Sequence, residues 1–166
     1  MPTTTGSTAG ATGGRHPVLA HLEALVGQWE TAATHPLLPG ATIRGHATFA
    51  WLAGRRFLIW RAHHDHPDFP DSIAIMGRDD AGDAATAAAP GGDCACHYFD
   101  SRGVSRVYRV AAGPGVWRMW RDWPGFSQRF VGTFGDGGDT IVGSGELAED
   151  GATWHPDLQL TYRRAW

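Results

Sequence analysis

The stretch V-S-R-V-Y-R-V-A-A-G-P-G-V-W-R-M-W-R, residues 104–121, decides the fold. Apolar and polar side chains alternate on both sides of a glycine- and proline-bearing centre, the period-two signature of strands rather than the 3.6-residue period of a helix. A-G-P-G at 112–115 is turn chemistry, so 104–111 and 115–121 read as two arms of a hairpin.

The same cadence runs outward in both directions. Strands are expected at 28–34, 42–52, 55–64, 72–79, 94–100, 104–111, 115–121, 126–134, 139–147 and 154–164, about ten in all. Turn signals separate them at A-G-R 53–55, S-R-G 101–103, D-G-G-D 136–139 and E-D-G 149–151. Residues 79–93 hold few large apolar groups and read as a mobile loop. Ahead of the strands, H-P-V-L-A-H-L-E-A-L-V-G spaces Val18, Leu19, Leu22, Leu25 and Val26 helically, with Pro17 in the first turn and Gly27 as a stop. The expected fold is all-β, an up-and-down antiparallel barrel of about ten strands with one short N-terminal helix closing an end. Closure removes the exposed edges of so long a meander. A two-sheet sandwich is the competing solution.

Composition bounds the function. The 166 residues suit one domain over 16–166, behind a small, polar tail over 1–15 that reads as disordered. A net charge of −3 with no basic stripe argues against nucleic acid as a partner. No apolar run approaches the roughly 18 residues of a membrane span, and no signal-peptide core is visible, so the expected location is cytoplasmic with no membrane partner. Cys94 and Cys96 lie two apart on one strand face, an awkward geometry for a mutual disulfide.

Several segments carry a family resemblance: L-x-x-L-V-G-Q-W-E (22–30), F-A-W-L-A-G-R-R-F-L (49–58), I-M-G-R-D-D (75–80), Y-F-D-S-R-G-V (98–104), V-W-R-M-W (116–120), R-F-V-G-T-F (129–134) and D-G-A-T-W-x-P-D-L-Q-L-T-Y-R-R (150–164). Together they resemble a bacterial family of uncharacterised lipocalin-like (calycin) barrels, related in fold to nitrobindins and fatty-acid-binding proteins. The resemblance implies a barrel and little chemistry, because fold does not fix function. Nitrobindin-like relatives open with G-x-W-x-G-x-G and bind haem through a histidine near the barrel's end. Gly27 and Trp29 match that opening, whereas Thr31 and Ala33 stand in place of its later glycines. No cofactor is therefore expected, with haem as the alternative.

R-A-H-H-D-H, 61–66, is the densest imidazole cluster. On a continuing strand His64 and His66 share one face with Leu58 and Trp60, while His63 and Asp65 share the other. The cluster reads as a solvated strand end, a polar lining, or a metal site in which His64 and His66 take a third ligand such as His46, His97 or His155.

Trp51, Trp60 and the pair Trp117 and Trp120 belong to three strand segments, with Trp123 and Trp154 in or beside others, and they either fill the interior or line a cavity for a flat apolar guest. Trp117 and Trp120, three apart, must face opposite ways. Arg106, Arg121 and Arg129 interrupt apolar strands; each either meets a ligand carboxylate inside or an acidic neighbour outside. Tyr98 and Tyr108 add hydroxyls.

The leading expectation is binding of a small, mostly apolar ligand in a Trp-lined barrel cavity through Trp51, Trp60, His64, Tyr98, Tyr108, Trp117, Trp120, Arg121 and Arg129. The alternatives are an acid/base isomerase or cyclase using His64, His97 or Glu146, and a haem or metal barrel using His64, His66 or His155. Trp123 and Trp166 offer a patch for a homodimer.

Overall fold

A computed structural model describes residues 17–78 and 94–165. Ten strands, β1 (Gly27–Thr34), β2 (Ile43–Trp51), β3 (Phe57–His64), β4 (Ser72–Arg78), β5 (Cys94–Asp100), β6 (Ser105–Gly113), β7 (Val116–Arg121), β8 (Ser127–Gly135), β9 (Thr140–Ala148) and β10 (His155–Ala165), follow one another. Each pairs antiparallel with its sequence neighbours, and β1 pairs with β10, so the meander closes into a barrel and the sandwich is ruled out. Strand ends differ from the alternation pattern by a residue or two, since pairing rather than polarity sets them. The expected tail over 1–15 and loop over 79–93 fall outside the described residues.

Side-chain parity follows the register. Trp29, Thr31 and Ala33 point inward from β1, as do Ala47 and Phe49 from β2, Leu58 and Trp60 from β3, and Trp117 and Met119 from β7. The middle of the barrel is packed ring against ring. Phe49 stacks on Trp60 with centroids 5.4 Å apart, and Trp117 meets Phe49 at 6.0 Å, Trp60 at 5.7 Å and Phe130 at 5.3 Å. Three inward glycines make room. A methyl at Gly132 would press on Trp117 and Ile141, one at Gly143 would collide with the Phe130 ring, and one at Gly145 would meet the Leu158 carbonyl. The strand segments R-F-V-G-T-F-G and V-G-S-G-E thus trade side-chain volume for that of the aromatic rings. Trp29, Trp117 and Tyr162 are fully buried there, so these rings fill the middle of the barrel instead of bounding a void.

The N-terminal segment closes one end. Among the described residues of this segment Pro17–His21 is α-helical (α1), and Leu22–Leu25 tightens to a 3-10 turn before Val26 extends. Leu22 and Leu25 are fully buried, and α1 packs on β6, five strands around the barrel from β1, so the segment crosses the mouth. Trp29 Nε1 donates to the Leu25 carbonyl at 2.7 Å, tying the turn to the first strand. Gly27 joins them at φ 136°, a conformation closed to residues with a Cβ. Arg164 reaches over that joint, donating to the carbonyls of Val26 (2.9 Å), Ala24 (3.2 Å) and Gly138 (3.1 Å) and to Asp139 Oδ1 (3.1 Å), with its guanidinium 4.2 Å from the Trp29 ring. Among the described residues no helix is long and apolar enough to cross a membrane.

Candidate functional site

The end opposite α1 carries the polar interior. It is ringed by the loops 35–42, 65–71, 101–104, 122–126 and 149–154, and inward positions near it hold His64, Tyr98, Asp100, Arg106, Tyr108, Arg121 and Gln128. A register shift between Pro156 and Gln159 in β10 brings Asp157 to the same end.

These groups form a connected set. Tyr108 Oη donates to Gln128 Oε1 at 2.8 Å, and Arg106 Nη1 donates to the same oxygen at 3.1 Å. Gln128 Nε2 donates to Asp157 Oδ2 at 3.4 Å, and Asp157 Oδ1 lies 2.9 Å from His35 Nε2. His35 Nδ1 accepts the Leu37 amide, so its proton sits on Nε2 and both ring nitrogens are occupied. On β5, Tyr98 Oη donates to Asp100 Oδ2 at 3.1 Å, and Arg102 Nη2 donates to it at 2.7 Å. Loss of solvent opposes Asp100 ionisation, but Arg102 and Tyr98 together outweigh it and hold the carboxyl below its ordinary range. Burial pushes the Tyr98 and Tyr108 hydroxyls up, so both remain donors at neutral pH.

Arg121 is the exception to this satisfaction. It points inward beside Tyr108, half-buried, and its guanidinium lies over the Trp123 ring, 5.0 Å away. Arg106 lies 4.6 Å over the Phe126 ring. Among the described residues neither guanidinium has a carboxylate partner. Between them the wall opens. The β6–β7 pairing runs from Gly113↔Val116 to Arg109↔Trp120 and stops, leaving Ser105–Tyr108 paired to β5 alone and Arg121 to β8 alone. A groove of about 460 Å³ occupies this slot, lined by Arg106, Tyr108, Arg121, Asp122 and Trp123 among others. A second concavity of about 280 Å³ lies along β1, β9 and β10 and is lined by small and apolar groups such as Ala32, Val142 and Leu160.

His64 ends β3 facing inward, and His63 faces out. Phe69 folds back from the following loop to meet the His64 ring edge to face at 4.7 Å and the His35 ring at 6.1 Å. His64 Nδ1 donates to the Pro70 carbonyl at 2.9 Å, and burial lowers its pKa, so the ring is neutral with Nε2 as an open lone pair. His63 is exposed, and its hydrogen bond to Asp71 Oδ2 at 2.8 Å raises its pKa. Adjacent histidines should therefore titrate in opposite senses. Followed by NMR, His63 is expected to keep its proton above pH 6.5 and His64 to lose its proton below it. By linkage, His64 withdraws stability as pH falls below 6.5, whereas His63 withdraws it as pH rises above that value. Titration in the reverse order would contradict these environments.

The other candidate residues are dispersed. Trp51 faces inward at the closed end, where Nε1 donates to Glu23 Oε2 at 3.0 Å. Trp60 and Trp117 belong to the packed middle. Trp120 and Arg129 stand on the outer wall, paired in register, with Arg129 bonded to Glu146 at 2.6 Å and lying 4.1 Å over the Trp154 ring. That bond holds the Glu146 carboxyl below its ordinary range, unlike a base poised for proton abstraction. His97 is exposed on the outer face of β5. His66 lies in the loop after β3, accepting the Asp68 amide, and His155 is exposed at the start of β10. Among the described residues no three His, Cys, Asp or Glu side chains converge as metal ligands. Cys94 and Cys96 are buried and not disulfide-bonded, and burial pushes the Cys96 thiol up to about 12.

The residues present do not fit a haem held from the last strand. The inward positions of β10 are Leu158, Leu160 and Tyr162, and His155 faces solvent.

Asp157, Gln128, His35, Asp100 and Phe69 complete the polar end without having stood out in the sequence. Gln128 is in phase with Phe130, which marks its face, but only the register across β6 to β10 shows what it meets.

No family model matches the chain, and no curated protein sequence matches it. Solved structures do. The crystal structure of Rv2717c from M. tuberculosis superposes with a TM-score of 0.60 at 14% identity, covering 92% of this chain and 100% of that one. The S-type phycobiliprotein lyase CPES from Guillardia theta superposes with a TM-score of 0.53 at 9% identity, covering 92% and 94%. At such identities the likeness concerns the fold alone, a closed ten-strand antiparallel meander in this chain.

Proposed function

We propose that the protein binds a small, mostly apolar molecule with an acidic end, held at the open end of the barrel by Arg106 and Arg121. The carrying observation is the pair of inward, half-buried guanidiniums that lack a carboxylate among the described residues. Withdrawing a cation from water is costly unless an anion or several acceptors compensate it, and a ligand carboxylate matches the guanidinium fork. Tyr108 supplies a hydroxyl beside it, and Trp123 and Phe69 supply apolar faces.

A second reading, proton transfer on such a guest, is favoured by the neutral His64 ring. Its Nδ1–H is fixed on a backbone carbonyl, which leaves Nε2 able to accept a proton.

One experiment separates these readings. Titration with medium- and long-chain carboxylates, followed by tryptophan fluorescence, should show binding that Arg121→Ala and Arg106→Ala each weaken about tenfold or more, as expected for losing a charged hydrogen bond. The matching alcohols should bind less tightly and discriminate little between wild type and variants. Mass spectrometry of the recovered ligand then decides the rest: an unchanged molecule supports a carrier, and conversion that disappears in His64→Ala supports catalysis. Affinity indifferent to both arginines would overturn the proposal.

A further inference from the structure

The outer wall is not uniform. On β10, β1 and β2 and across to β3 it is charged, with Arg163, Glu30, His46 and His63 in one cross-strand row. From β3 to β6 it changes character. The row Ile59–Ile75–His97–Val107 crosses four strands; Ile73 and Phe99 flank it on one side and Phe57 on the other. Exposures are 40% for Phe57, 36% for Ile73 and Ile75, 44% for Phe99 and 49% for Val107. These side chains are contiguous by register, and no ion pair crosses their centre among the described residues.

We infer that this β3–β6 face is the contact surface of a homodimer, two copies packing sheet on sheet around His97. The areas agree. Taking about 200 Å² for a fully exposed Phe or Ile, the five side chains offer on the order of 400 Å² of apolar surface. One side of a standard interface buries about 800 Å², somewhat over half of it apolar, or roughly 450 Å². A self-complementary patch must be tolerable against itself, and this one carries aliphatic and aromatic groups with a single imidazole at its middle and Arg61 and Arg109 only at its edges. Its sheet is continuous and regular, which gives two copies a preformed, rigid surface to align. Val107 also borders the Arg106–Arg121 groove, so the contact reaches one rim of that slot, while Arg106, Tyr108 and Arg121 point the other way, into the barrel, and the dimer is read from the mass without reference to any ligand.

Sedimentation velocity on the full chain at tens of micromolar should give twice the 17.9 kDa chain mass. Ile75→Lys and Val107→Lys each place two like charges in the contact, one per copy, and should raise the dimer dissociation constant about 100-fold or more. Val142→Lys, at a 61% exposed position on another part of the wall, should leave the mass and the dissociation constant unchanged. Circular dichroism of all three variants should match wild type, since every site is already at the surface. A wild-type chain that stays monomeric at these concentrations overturns the inference. So does a dimer indifferent to both lysines, or a monomer whose β3–β6 amides lose exchange protection only on deletion of residues 1–15, which would make that segment the occupant.

Discussion

Trp117→Ala is expected to lower the unfolding free energy by about 3–5 kcal/mol, the usual range for removing a fully buried indole. Trp117 touches Phe49, Trp60 and Phe130 and lies over Gly132, so each neighbour loses a packing surface at once. Collapse cannot repair the hole cheaply, because Gly132 has no side chain to advance and Trp60 is already held in its stack on Phe49. Guanidinium melts should show the full loss, with Tm falling by roughly 10 °C for a chain of this size. Trp117→Phe should cost clearly less. Nε1 has no acceptor among the described residues, so the smaller ring discards an unsatisfied donor along with part of the packing. A Trp117→Ala penalty below about 1 kcal/mol would show that the middle of the barrel is not close-packed.

Much of this architecture is legible in the chain itself. Period-two alternation across residues 104–121 and its repetition mark every strand, and the turn signals mark nearly every connection, because local backbone chemistry is written locally. What alternation leaves open is the face. Trp117 and Trp120 are chemically equivalent candidates for the interior, and the choice falls on Trp117 because Ala112 and Gly132 flank it in the register while Arg109 and Arg129 flank Trp120. The same arbitration puts Arg121 inside and Arg129 outside, where Glu146 waits opposite it on β9. His63 and His64 divide in this way too, with Asp71 from beyond the intervening loop bracing both. The polar end could not be assembled from one strand at a time. His35, Asp157, Gln128 and Tyr108 meet across β10, β8 and β6, and the irregularity at Pro156–Gln159 that brings Asp157 into reach has no periodic signal.

Arg164→Met should cost about 2–3 kcal/mol, a large effect for a residue that is not in the core. The guanidinium spreads its donors over three carbonyls and one carboxylate from the N-terminal turn, the first strand's entry and the β8–β9 turn. Methionine keeps much of the aliphatic contact with Trp29 but abandons all four acceptors, of which the carbonyls of Val26 and Gly138 are partly buried and hard for water to reach. Because Gly27 is held at positive φ under that side chain, the entry of β1 has little else to keep its direction. The loss should therefore appear first as opening of the closed end: amide exchange over 17–26 should accelerate before the strands do, and global unfolding should follow at lower denaturant. Arg164→Lys separates geometry from charge. An ammonium keeps the cation over the indole but presents its donors at one point, so it cannot bridge Ala24 and Val26 to Gly138 and Asp139 together. It should recover only a minor part of the stability. Full recovery by lysine would mean that the clasp acts through charge alone, and unchanged exchange over 17–26 in Arg164→Met would mean that burial of Leu22 and Leu25 holds the end shut without it.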